Sequence, residues 1–239
     1  MKRVLLLLAA GSLALMAAQP PTGVVGSMHD LSKTNTTAFT TAVTDYAQVC
    51  KFCHSPHGAA PASAQVVPLW GHKTTAATYT MYTSETMAAA GYVADAAPSG
   101  PSAACLSCHD GTVAVNARMA GGYSYSYGNV TTTSTDFSIV AENSGKAQMG
   151  YLTNHVVGVK TGSNVDMTTV HPIGVAYNAT DVANFFAAPK TAGMLFNNKV
   201  QCASCHDVHN WQGPAGTTSG LFLRVTTDGS ALCLQCHNK

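Results

Sequence analysis

The sequence predicts one domain of mostly irregular chain, with short helices at four repeated cysteine–histidine motifs and a few short strands. Three observations lead there. C-x-x-C-H occurs four times and takes up all 8 cysteines: Cys50, Cys53 and His54; Cys105, Cys108 and His109; Cys202, Cys205 and His206; Cys233, Cys236 and His237. Long amphipathic periodicity, the mark of extended packed helices, is absent. Gly, Thr, Asn and Pro, which favour turns, are dense between the motifs.

Taken in order, the chain opens MKRVLLLLAAGSLALMAAQP: two cations, an apolar run, then small residues. That is the pattern of a secretory signal peptide, too short in its apolar run to favour a membrane span. Residues 1–18 are expected to be cleaved, leaving 19–239 as the domain. The expected location is outside the cell or at its surface, with the periplasm as the alternative. No later stretch of sequence reads as a transmembrane segment. Loss of Lys2 and Arg3 leaves 10 basic against 11 acidic side chains. There is no basic stripe, which argues against a nucleic-acid partner. Charged residues make up 10% of the chain, against a usual ~25%, so little repulsion keeps copies apart and self-association is easy.

Between the motifs, helical patches such as YTSETMAAAGYV at 82–93 are short. Aromatic/polar alternation from Tyr123 to Tyr127 reads as a strand with one buried face. The motifs themselves carry the chemistry. Eight cysteines in an exported chain would ordinarily suggest disulfides, but a histidine after every C-x-x-C is the signature of c-type haem attachment. A zinc ribbon pairs its knuckles ~15–20 residues apart and needs no adjacent histidine. Here 51 residues separate the end of the first pair from the start of the second. Two thioethers hold the porphyrin's vinyl edges, and the adjacent histidine reaches the iron as proximal ligand. Four haem c groups over a chain this poor in core would each serve as core for the segment wrapping them, which predicts a single haem-cored domain. The apoprotein is expected to be unfolded.

Six histidines remain: His29, His57, His72, His155, His171 and His209. If each iron takes two histidines, four of these six are distal ligands. Methionine ligation, through Met28, Met119, Met149 or Met194, is the competing arrangement, but the histidine supply exceeds demand. His57 follows His54 by three residues, as His209 follows His206. On a helical turn such side chains leave one face with Cβ atoms ~5–6 Å apart, whereas two ligands of one iron approach opposite porphyrin faces. Each must therefore serve a neighbouring haem, or else bond a propionate. The fourth motif ends the chain, so its distal ligand comes from upstream or from another molecule. The expectation is that His57, or failing that His29, reaches the fourth iron of the next copy. Such a heterologous contact need not close and builds a filament.

SMHDLS, CKFCHSPHG, PLW, CLSCHDG, HPIGVAY, CASCHDVH, LFLR and ALCLQCHNK occur in this order. In this the chain resembles exported multihaem c-type cytochromes with paired C-x-x-C-H motifs, over most of residues 27–239. Four motifs, a signal peptide and low charge look most like the extracellular, filament-forming members. The resemblance implies bis-histidine haems, mostly loop structure and conducting filaments, or nanowires. Carried over residue by residue, it points to His29, His57, His171 and His209 as distal ligands. His72 in PLWGH and His155 in LTNHVV match less closely.

The function expected from these observations is extracellular electron transport without substrate turnover. Its partners would be other copies joined head to tail, redox proteins as donors, and extracellular electron acceptors. Two alternatives stand beside it: a monomeric periplasmic shuttle, and a multihaem reductase of a small inorganic substrate, which needs an iron with an open position. Asn35, Asn129 and Asn178 begin N-x-S/T patterns, which a threonine-rich chain produces by chance.

Overall fold

A computed structural model describes residues 23–25, 27, 29–30, 49–50, 53–55, 67–113, 125–127, 130–132, 156–210 and 222–238. The expected signal peptide, His57, His155, Met28, Met119, Met149, Asn35 and Asn129 lie outside them. The described chain is mostly loop, with three short helices and seven short strands in addition to two 3-10 turns.

The helices are short because their ends are written close together. α1 (Glu85–Ala89) starts at Ser84, whose hydroxyl accepts the Met87 N–H at 3.2 Å. It is left behind at Gly91, where φ is +77°, a left-handed turn that suits a residue without Cβ. α2 (Gly100–His109) carries Pro101 in its first turn, where a missing N–H costs nothing. Its buried residues are Ser102, Ala104, Leu106 and Ser107, small groups around one leucine. Against them lies α3 (Cys202–Cys205), whose first N–H donates to Ser102 Oγ at 2.9 Å. A bulkier residue at 102 would hold the two motif helices apart.

Beneath α2 sits a three-stranded sheet. β4 (Val159–Thr161) and β5 (Asn164–Asp166) form a hairpin over Gly162, and β1 (Thr78–Thr80) adds to β5 in parallel, with Tyr79 opposite Val165. Leu106, Val165, Met167 and Ile173 make the buried apolar cluster between helix and sheet. β6 (Val175–Ala176) pairs antiparallel with β7 (Lys199–Val200), which leads directly into α3. A separate hairpin joins β2 (Tyr125–Tyr127) to β3 (Val130–Thr132). β2 covers the last three residues of the Tyr123–Tyr127 alternation.

Candidate haem sites

Each motif is built on one local turn. His54, His206 and His237 donate their backbone N–H to the carbonyl of the first cysteine of their own motif, Cys50, Cys202 and Cys233, at 2.9, 3.1 and 3.0 Å. The second motif is the last turn of α2. A turn of this kind sets residues three and four apart on one side, so both thiols and the imidazole address one group.

Two motifs are then clamped by a second strand of chain. Ser55 N–H donates to Leu69 O at 2.7 Å and Gly71 N–H to Cys53 O at 2.8 Å, flanking a bridge between His54 and Trp70. At the third motif Asp207 N–H donates to Phe222 O at 2.7 Å and Arg224 N–H to Cys205 O at 2.8 Å, flanking a bridge between His206 and Leu223. Leu69 and Phe222, at matching places, both have positive φ, 57° and 52°. Strain of about 1–3 kcal/mol is retained at such positions only when surroundings enforce it. The PLW and LFLR segments are therefore equivalent clamps. The fourth motif is held from upstream, by Phe186 N–H to Cys236 O and Asn238 N–H to Asn184 O, both 2.9 Å.

Three pairs of histidine rings stand close to one another. Ring centroids are 5.9 Å apart for His29 and His109, 6.3 Å for His54 and His209, and 6.5 Å for His171 and His237. With metal–nitrogen bonds of about 2 Å and roughly 1 Å more to each ring centre, two imidazoles on opposite sides of one metal stand about 6 Å apart. Each pair joins a C-x-x-C-H histidine to a histidine from elsewhere. His54 Nδ1 and His171 Nδ1 lie 3.0 Å from the carbonyls of Pro68 and Pro172. A carbonyl can only accept, so Nδ1 carries the proton and Nε2 is left to bind a metal. The donor set fits bis-histidine haem. Among the described residues no three His, Cys, Asp or Glu side chains converge on a point, as a zinc centre would require.

His171 opposite His237 gives the fourth motif a partner from its own chain, and His29 stands opposite His109. The expected bond from His57 or His29 to the fourth iron of another copy involves a second chain and, for His57, a residue outside those described. The β6–β7 pair folds the 171–177 segment back beside the fourth motif: Tyr177 Oη donates to the carbonyls of Phe186 and Cys236 at 2.7 and 3.3 Å. His72 is fully buried, with Nδ1 2.9 Å from Lys73 O and Nε2 3.5 Å from Cys108 Sγ. Met194 is buried.

The second and third motifs are held side by side by the Cys202 N–H on Ser102 Oγ at 2.9 Å. Cys202 and burial raise the Cys105 thiol, while Cys105 lowers that of Cys202. Burial, then the charge of Cys53, raises the Cys108 thiol; burial, then Cys236, raises Cys205 to about 11.

The family model described as a doubled CXXCH motif matches residues 195–239. This is a multihaem c-type cytochrome motif. It binds haem c covalently and serves electron transfer. No curated protein matches the sequence. The first and second motifs lie outside that match, yet the first repeats the backbone clamp of the third.

Proposed function

We propose that the chain is a tetrahaem electron carrier, exported from the cell, whose four irons each take two histidines and pass electrons along a row to extracellular acceptors. The carrying observation is the set of three facing imidazole pairs. On this reading the motif cysteines hold the haems through thioethers, and the irons of His109, His54 and His237 take His29, His209 and His171. The iron of His206 takes His57, because CHSPH and CHDVH are alike and His209 already faces the first motif. Haem supplies a reversible one-electron iron couple. With two histidines of the chain holding each iron, no position would stay open for a substrate. The packing of α3 on α2 supports a path passing between the second and third motifs. Low charge supports assembly into a head-to-tail filament.

The test is His171→Ala in the haem-loaded protein. One haem of four is expected to turn high-spin and bind carbon monoxide on reduction, with three unchanged. Carbon monoxide binding by the unaltered protein would instead favour the reductase. Negative-stain images of secreted material distinguish filament from monomeric shuttle, and mass spectrometry counts the haems.

A further inference from the structure

Trp70 is fixed beside the first motif by the clamp described above, its backbone bridged to His54. Its indole stands edge-on to the His54 ring, centroids 6.2 Å apart at 88°, with the His72 ring 6.3 Å away. The indole Nε1 is buried and meets no acceptor among the described residues. An unpaired buried N–H costs about 1–3 kcal/mol, so a native structure rarely leaves one unmet. The group due beside His54 is the porphyrin held by Cys50 and Cys53, and its two carboxylates are acceptors only. With charged residues at 10% of the chain, cations to meet them are scarce.

We propose that the Trp70 N–H is the hydrogen-bond donor to a carboxylate of the haem on the first motif. The inference rests on the reading that this motif carries haem. Its counterpart at the third motif, Leu223, has no such donor, so the two clamps are alike in backbone but not in what they offer the porphyrin edge. A donor on the carboxylate offsets negative charge near the iron. Losing it favours the ferric state and lowers the potential of that haem.

The experiment compares the holoprotein with two variants: Trp70→Phe, and one carrying 3-benzothienylalanine at position 70, in which sulfur replaces the N–H in a ring of the same shape. Mass spectrometry of the peptide containing Cys50 and Cys53 comes first. A peptide without haem there removes the underlying reading and the proposal with it. With haem present, both variants are expected to lower one of four midpoint potentials, by up to about tenfold in that haem's reduction equilibrium, or 59 mV. The propionate bending band in resonance Raman should shift with it. Unchanged potentials and an unchanged band in both variants overturn the proposal. A shift in the Phe variant alone also overturns it, because it assigns the effect to ring packing.

Discussion

Tyr79 and Tyr92 each place a phenol on a carboxylate close to a haem motif. Asp110, directly after His109, is fully buried and accepts from Tyr79 Oη at 2.6 Å, Thr112 N–H at 2.8 Å and Thr112 Oγ1 at 2.7 Å. Burial, then this hydrogen bond and the charge of Asp110, push the Tyr79 phenol upward. Tyr79→Phe leaves a buried carboxylate one donor short, a loss of about 1.5–3 kcal/mol, read from guanidinium denaturation; wild-type stability in the variant would refute the account. Tyr92 is more exposed. Its hydroxyl donates to Asp181 at 2.7 Å, and burial followed by Asp181 raises it from 10.0 to about 12. The folded pKa lies above the unfolded one, so the protonated phenol is the favoured form in the fold. The stabilisation is complete below pH 10 and fades as pH climbs through about 12. Tyr92→Phe should flatten that alkaline limb and leave the neutral region's slope unchanged, measured by thermal melts across alkaline pH.

At the scale of elements, the turns at the motifs are local, which is why the sequence shows them: first cysteine and histidine are four residues apart and bond directly. The clamps were harder to read. Leu69 and Phe222 carry none of the Gly or Asn signal that usually accompanies positive φ, and each clamp closes about 16 residues from its motif. The sequence offers six histidines beyond the motifs, of which His29, His72, His171 and His209 lie among the described residues. Which proximal histidine each would face was not legible, since His29 reaches His109 across 80 residues of chain. The sheet under α2 depends on a residue type that periodicity does not reveal. Gly158, with φ +82°, precedes β4, and a Cβ there would meet Asp166 O at 2.7 Å and Met167 Sδ at 2.9 Å. One of these atoms is backbone of the paired strand and cannot give way. Gly158→Ala should therefore cost more than about 2 kcal/mol and perturb the second haem, whose motif is joined to this segment by Val157 N–H to His109 O at 2.7 Å. A variant of normal stability with an unaltered haem spectrum would contradict this.

At the scale of the whole molecule, the three histidine pairs are not equivalent. His29 and His109 both precede the long middle segment, and His171 and His237 both follow it. Among these three described pairs His54 and His209 stand across the two halves, as the proposed pair of His57 and His206 would too. The halves also meet through the parallel β1–β5 pair, the Cys202 N–H on Ser102 Oγ, and a Lys199–Asp95 ion pair of 2.6 Å. That ion pair is partly exposed and worth little alone. An iron bound by His54 and His209 would thus be a cross-link between halves, while the other two would each tie one half to itself. His209→Ala and His171→Ala should look alike by spectrum, each giving one high-spin haem that binds carbon monoxide. Their stabilities should differ. His209→Ala is expected to lower the denaturation midpoint further and to broaden the transition as the halves lose coupling, whereas His171→Ala keeps a single steep transition. Equal midpoints and equal steepness in the two variants would show that the remaining contacts between the halves, the proposed iron of His57 and His206 included, hold them without the iron shared by His54 and His209.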